Sequence, residues 1–308
     1  MSKITVVGSI NIDIVVSVDE IPQIGETVLG RNMKHFPGGK GANQAYAAAK
    51  LGAEVSMIGA VGKDENGKLL LDNLRIGGVD NTSIEILNGI HTGCAIVIID
   101  NAGNNQIAVI PGANMFVSPD LVSKNSELIE KSDFIIMQQE IPIETIIYTS
   151  KLAKEKNKTV ILNPAPAHDS LNEELLQYTD ILTPNKIELE KLTGCKVDTI
   201  ENVISAAKLI VDKGIKNVIV TLGENGAVLV TKDGFIHKKS YNVGEKVDTT
   251  AAGDCFNAAL AVALQKNMDI DKAIEFANLA AAISITREGA QYSMPTLEEV
   301  LDYKHLLG

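Results

Sequence analysis

The sequence predicts an α/β protein, a three-layer sandwich with a central, mostly parallel sheet covered by helices, plus a small β-sheet lid. Three observations carry this expectation. Aliphatic runs such as "ITVVGSI", "EVSMIGAVG", "DFIIMQQE", "TVILNPAP", "DILTPN" and "NVIVTLG" are separated by amphipathic stretches such as "TIENVISAAKLIVDKGI", the βαβ pattern of a parallel sheet. Of the 308 residues 45% are hydrophobic but only 4% aromatic, with no Trp, so the core is built from Ala, Ile, Leu and Val, as in helix-covered parallel strands. Two segments, "DIVVSVDEIPQIGETVLGRNMKHF" and "TGCAIVIIDNAGNNQIAVIPGAN", carry strands without a crossover helix, and the second reads as a hairpin turning at "NAGN".

Taken in order, the first strand runs toward Asn11 and Asp13 and leads into the first of these insertions. The stretch "FPGGKGANQAYAAAKLG" then makes a glycine turn, Gly38, Gly39 and Gly41, opening a small-residue helix that Gly52 ends. The βαβ alternation follows, and "FNAALAVALQKN", "DIDKAIEFANLAAAISITREG" and "TLEEVLDYKHLLG" read as closing helices. No repeat or linker interrupts residues 1–308, so a single domain is expected. Its insertions, about 14–36 and 93–111, bear Val15, Val16, Ile96, Val97, Ile98 and Ile99 on both faces. These need covering on both sides, which predicts a lid over a site and contact with a second copy in a homodimer. The alternative is that the insertions extend the edge of the main sheet.

A formal net charge of −11 argues against a nucleic-acid partner, which needs a basic footprint. Cys94, Cys195 and Cys255 are odd in number and form no C-x-x-C pair, as in a reducing compartment without structural zinc. His35, His91, His168, His237 and His305 form no close ligand pair. The opening "MSKITVVGSINID" enters a strand directly, and no run approaches the ~18 apolar residues of a membrane span. A cytoplasmic protein that does not engage membranes is expected.

Ligands of open α/β sheets bind at the carboxyl ends of the strands. Polar residues recur there: Asn11 and Asp13, Glu140, Asn163, Asn185, then Thr221 and Gly223. Singly, each suits a turn or cap; together they form one polar crest. Around the glycine turn both the Walker pattern and the dinucleotide G-x-G-x-x-G fail, the latter because Gln44 stands at the third glycine. Lys40 and Asn43 at that helix mouth suit the hydroxyls of a small polar ligand, or merely accompany a tight turn. In "TPNKIELE", Asn185 and Glu188 share a helix face and could hold hydrated Mg²⁺ and phosphate, or form a solvated helix start. The stretch "VDTTAAGDCFNAALAVAL" is equally double: Asp254 is a helix N-cap, or Ala252 and Gly253 expose bare N–H groups to an anion that Asp254 faces.

These residues also carry a likeness. "GGKGANQAYAAAKLG", "DTTAAGDCFNAAL" and "NKIE" resemble the signatures of the ribokinase-like (phosphofructokinase B) carbohydrate kinases, and the similarity runs over essentially the whole chain, including "VGSINIDIVVSVDEIPQIGETVLG". The resemblance implies ATP-dependent phosphoryl transfer to the 5-hydroxyl of D-ribose, with Asp254 as catalytic base and the N–H groups of Ala251, Ala252 and Gly253 as anion hole. It implies that Asn11, Asp13, Gly39, Lys40, Asn43 and Glu140 hold the sugar, and that Asn185, Thr221, Gly223, Gly226, Gly253 and Asn278 hold the nucleotide. Glu188 would hold Mg²⁺ through water. A K⁺-type monovalent-cation loop would use Asp248, Thr250, Ser284, Arg287, Gly289 and Ser293, mostly through backbone oxygens; Tyr292 stands in it where many members of the family carry proline. Phosphoryl transfer needs mainly alignment and charge stabilisation, which helix N–H groups and Mg²⁺ supply without a Walker lysine. Competing expectations are a kinase of the same family for deoxyribose, fructose or a nucleoside, and a non-catalytic sugar-binding protein.

Overall fold

The computed structural model describes residues 3–167 and 173–307, with the side chains of 305–307 left aside. His168 and the His305 side chain therefore fall outside the described residues. The first strand, β1 (Lys3–Val7), alternates its side chains between two buried faces: Val6 belongs to one core cluster and Val7 to the other. The same alternation recurs in the strands Phe134–Gln138 and Thr159–Asn163, where Ile136 and Ile161 face one way and Ile135, Met137, Val160 and Leu162 the other. Strands buried on both faces are why the sequence reads as continuous aliphatic runs.

After β1 the chain forms β2 (Asn11–Ser17), β3 (Asn32–Gly38), α1 (Lys40–Lys50), β4 (Glu54–Gly62), α2 (Glu65–Ile76), β5 (Val79–Leu87), β6 (Gly93–Ile99) and β7 (Asn105–Ile110). Then come α3 (Pro119–Lys124), α4 (Ser126–Lys131), β8 (Phe134–Gln138), α5 (Ile143–Glu155), β9 (Thr159–Asn163), α6 (Glu173–Gln177), β10 (Ile181–Leu182), α7 (Lys186–Thr193), α8 (Ile200–Val211) and β11 (Asn217–Thr221). The last part holds β12 (Ala227–Thr231), β13 (Gly234–Lys238), α9 (Ala252–Gln265), α10 (Ile270–Ser284) and α11 (Leu297–Leu307). Nine strands form the main sheet in the order β13-β12-β11-β10-β9-β8-β1-β4-β5, parallel from β11 to β5 and antiparallel in β11-β12-β13. Helices α1, α2, α9, α10 and α11 pack on one face and α3 to α8 on the other, giving the three layers.

The two insertions form a separate four-stranded sheet, β3-β2-β6-β7, and do not extend the main sheet. The hairpin β6-β7 turns at 101–104, where Asp100 accepts from the N–H groups of Ala102 and Asn104. Two features differ from the sequence reading. Asn11 and Asp13 lie on β2, in the small sheet, and not at the end of β1, which stops at Val7. Strands β5, β12 and β13 join the edges of the main sheet; β5 and β13 are partly exposed and polar, so neither reads as an aliphatic run. No helix among the described residues is long and apolar enough to cross a membrane.

Helix α1 reaches the β1-β2 turn because Gly41 has no side chain: a Cβ there would lie 2.6 Å from Gly8 C and Ser9 N. That contact is backbone on both sides and cannot yield without moving the helix. Gly41→Ala is expected to destabilise the fold by about 1–3 kcal/mol, read as a lower urea midpoint at unchanged slope.

Candidate active site

The strand order reverses at β1. From β1 the chain proceeds, by way of the small sheet, to β4 on one side, while β8, β9, β10 and β11 run off on the other. Past β1 the chain goes on to α1 on one face of the sheet and past β8 to α5 on the other, and the crevice at the carboxyl ends of these neighbouring strands is where α/β sheets place ligands. The N-termini of α1 and α9 both point into it.

At α1, Gly39 caps the helix with φ 87°, which a side chain would strain. Ser9 receives the Gly41 N–H on Oγ and donates to Glu140 Oε2 at 2.5 Å; the Lys40 N–H donates to the same oxygen at 3.2 Å. Glu140 is thus held at a helix start, where a negative charge is favoured. Asn11 is oriented by Asn114, whose Nδ2 donates to Asn11 Oδ1 at 2.7 Å. Asp13 lies against Gly38, where a Cβ would strike its carboxylate.

At α9 the N-cap is Ala251, with φ 60°, and no side chain caps the helix. The N-cap reading of Asp254 is therefore corrected: it is the third residue of α9, and its carboxylate faces α1. Oδ2 accepts from Asn43 Nδ2 and Oδ1 from Gln44 Nε2, both at 2.9 Å, with Asp254 only 5% exposed. Gly253 turns the other way. A Cβ on it would meet nothing within 4 Å, and it lines a cavity of about 600 Å³. Adjacent residues of one helix turn thus face two compartments.

The cavity is lined by Asn185, Thr221, Gly223, Gly226, Gly253 and Asn278, every residue assigned to the nucleotide from the sequence, together with Ala252. Gly226 has φ 84°, and Asn278 Nδ2 donates to the carbonyls of Lys238 and Lys239, fastening the chain after β13 to α10. The sequence reading missed the apolar wall, Tyr241, Val243, Phe256, Ala281 and Ile285. "SYNVGEK" has no helical or strand period and no motif, so nothing marked it.

On the polar side the sugar-assigned residues gather around Asp254. Burial alone would lower the Lys40 ammonium, but Asp254, Glu140, Glu188 and Asp13 raise it above its ordinary value. Burial pushes the Asp13 carboxyl up to about 7, with Glu140 and Asp254 adding to the shift and Lys40 opposing it. Asn185 and Glu188 form a capping box: Glu188 N–H donates to Asn185 Oδ1, and Asn185 donates to Glu188 from its N–H and Nδ2. The start of α7 is exposed at Asn185, Lys186 and Ile187, but Glu188 is only 8% exposed; burial raises its carboxyl despite the Asn185 hydrogen bond and Lys40.

The residues assigned to the cation loop also converge. Asp248 accepts from the N–H groups of Thr250 and Gly289, each at 2.9 Å, and these bonds, against the effect of burial, hold its carboxyl below the usual range. Ile285 O receives the Val247 N–H. The Ser284 and Ser293 hydroxyls turn back to the carbonyls of Ala281 and Ala290, and Arg287 pairs with Glu299 at 2.6 Å. Cys255 is fully buried with its thiol pushed up to about 12, in keeping with inert cysteines.

Asp13 makes stability pH-dependent. Its folded pKa lies above the unfolded value, so between about 4 and 7 the folded state binds more protons and stability falls as pH rises. Asp13→Asn removes this loss. The variant should be more stable than the parent at pH 8, by up to about 4 kcal/mol, with the difference vanishing near pH 4. Urea melts at the two pH values test it, and a pH-independent difference would refute the assignment.

Comparison with known proteins agrees with this geometry. Residues 1–297 match the pfkB family carbohydrate kinases. The chain is 41% identical over 300 residues to the ribokinase of Haemophilus influenzae, covering 97% of each. It is 37% identical over 303 residues to the deoxyribokinase of Salmonella typhi, covering 98% of this chain and 99% of that one. Arabidopsis thaliana ribokinase, solved in complex with ribose and ATP, superposes with a TM-score of 0.93 at 34% identity, covering 98% of both chains. Matched by the family over residues 1–297 and by a relative over 97% of both chains, this chain belongs to the pfkB family of carbohydrate kinases.

Proposed function

We propose that this protein transfers the γ-phosphoryl group of ATP to the 5-hydroxyl of D-ribose, giving D-ribose 5-phosphate and ADP. The observation that carries the reading is the shared turn of α9: Asp254 faces the polar crevice and Gly253 the 600 Å³ cavity, so an acceptor hydroxyl and a phosphoryl donor would meet at one helix N-terminus. Similarity to ribokinases along the whole chain supports ribose as the acceptor. Asn11, Asp13, Gly39, Lys40, Asn43 and Glu140 hold the sugar. Ionised Asp13 can accept from two neighbouring hydroxyls, and a ligand lacking one leaves a buried oxygen unpaired.

In the reaction the ribose oxygen forms a bond to the γ-phosphorus while the bond from that phosphorus to the ADP oxygen breaks. Asp254 accepts the hydroxyl proton, late in a loose transition state. The N–H groups of Ala251, Ala252 and Gly253 would face the developing charge, that of Ala252 giving up its bond to Thr249 O. Lys40, among four carboxylates, adds the positive charge the crevice otherwise lacks. No group of three or more His, Cys, Asp or Glu among the described residues is arranged to hold a metal by itself. Mg²⁺ would therefore rest on phosphate oxygens and water with Glu188 behind them, neutralising phosphate charge. K⁺ would sit among main-chain oxygens of the loop formed by Asp248, Thr250, Ser284, Arg287, Gly289 and Ser293, stiffening the turn into α9.

Residues 1–308 read as one kinase domain, with the sheet β3-β2-β6-β7 as a lid that keeps water from the phosphoryl group. Exposed Met33, Ile96, Ile107 and Val109 on this sheet would be covered by a second copy. A cytoplasmic location fits an ATP-consuming reaction and three free thiols.

ADP release with ATP, Mg²⁺ and K⁺ should depend on ribose and fall by more than about 100-fold in Asp254→Asn. The similarity to a deoxyribokinase makes deoxyribose the comparison that matters: faster turnover with deoxyribose than with ribose would change the substrate and keep the mechanism. Ile107→Asp should convert a dimer to a monomer in sedimentation; an unchanged mass would place the contact elsewhere.

A further inference from the structure

A chain of amides, buried except at its outer end, Asn73, runs beyond the groups used above. Asn43 Nδ2 donates to Asp254 Oδ2 at 2.9 Å, Gln291 Nε2 donates to Asn43 Oδ1 at 3.1 Å, and Asn73 Nδ2 donates to Gln291 Oε1 at 2.6 Å. Asp254 and Asn43 are 5% exposed and Gln291 only 2%. An ionised carboxylate only accepts, so Asn43 must turn its NH₂ toward Asp254 and its carbonyl away. Gln291 must then offer its own NH₂ to Asn43 and its carbonyl to Asn73. The chain has one sense, set by the carboxylate at its end.

A carboxylate turns easily about its last torsion, which is broad, so its orientation depends on what holds its oxygens. Gln44 holds Oδ1 and has further partners in Gln138 and Asn163. Asn43 holds Oδ2, and its own orientation is fixed at the far end by Gln291. Without Gln291 the Asn43 carbonyl would be buried with no partner, and a flipped amide would set oxygen against oxygen at Asp254.

Gln291 belongs to the 286–293 segment, which touches three other parts of the fold. Gly289 donates to Asp248 ahead of α9, and Arg287 anchors on Glu299 of α11. From the small sheet, Lys34 pairs with Glu288 at 2.5 Å and the Phe36 ring lies over Gly289.

We propose that Gln291 is a positioning residue: acting through Asn43, it holds the Asp254 carboxylate in the rotation that meets the acceptor hydroxyl and ties that rotation to the 286–293 segment. The proposal rests on Asp254 being the base. Gln291→Leu should lower kcat by about 10- to 100-fold while KM for ribose and for ATP stays within about twofold. Calorimetric titration with ribose and a non-hydrolysable ATP analogue should give full stoichiometry, which a partly unfolded preparation would not. In an Asn43→Leu background the same substitution should cost no further activity, because the coupling has already been broken. Gln291→Glu keeps the volume and the carbonyl facing Asn73, and serves the same test if the leucine variant does not fold. Normal kcat at full stoichiometry, or losses that simply multiply in the double variant, would overturn the proposal. Asp254→Asn measured alongside separates the two ideas: retained turnover there removes the base itself, whereas its loss beside an active Gln291→Leu removes only the role of Gln291.

Discussion

A buried carboxylate held by two amides is the interaction on which this site depends. Asp254 lies in α9, its donors Asn43 and Gln44 in α1, and 210 residues separate Gln44 from Asp254 along the chain. Hydrogen bonds to a charged group contribute about 1.5–3 kcal/mol each, and a buried charge stripped of its partners costs about 3–5 kcal/mol. The two helices therefore cannot drift apart without exposing an uncompensated charge. Small residues permit the approach: Ala42, Ala45, Ala48, Ala258 and Ala259 are all fully buried in the layer that both helices share.

That clamp also decides which way the start of α9 faces. Had Asp254 been the N-cap, its carboxylate would have closed over the helix N–H groups and competed with any anion. With Ala251 in the left-handed conformation as cap and Asp254 drawn toward α1, no side chain covers the first turn, whose Ala252 N–H donates to Thr249 O, and Gly253 opens on the cavity. One backbone choice separates the acid from the residues that line the cavity while keeping them one residue apart, which suits a reaction joining a hydroxyl to a phosphoryl group.

The crevice carries an excess of negative charge, with Asp13, Glu140, Asp254 and Glu188 all acting on Lys40. Such a site is costly when empty, and the raised Asp13 and Glu188 show that cost as carboxyls less willing to ionise. In the proposed reaction, sugar hydroxyls donating to Asp13 and cations accompanying the nucleotide would relieve it. Ligand binding and the charge state of the site are therefore linked, the ligand stabilising the ionised forms that the empty fold resists.

The sequence by itself determined the layered α/β fold, the separate small sheet and the polar and glycine positions around the two compartments, but not the apolar wall. Aliphatic runs show strands buried on both faces, and "GGKGANQ" and "AAGDCFN" show helix starts built from small residues next to polar ones. Only the tertiary structure decided that Asn11 and Asp13 belong to the small sheet, that Asp254 is clamped and not capping, that Glu188 is buried in a capping box, and that Tyr241, Val243 and Phe256 wall the cavity. The edge strands β5 and β13 were hidden for a related reason, since exposure on an edge removes the aliphatic signal. Periodicity and turn chemistry are local and can be read along the chain, whereas the partner of a buried Asn, Gln or Asp is chosen by packing between segments hundreds of residues apart. Gln44, Gln138 and Gln291 carry no pattern that marks them, and they acquire their meaning only when α1, β8 and the segment after α10 meet at one carboxylate.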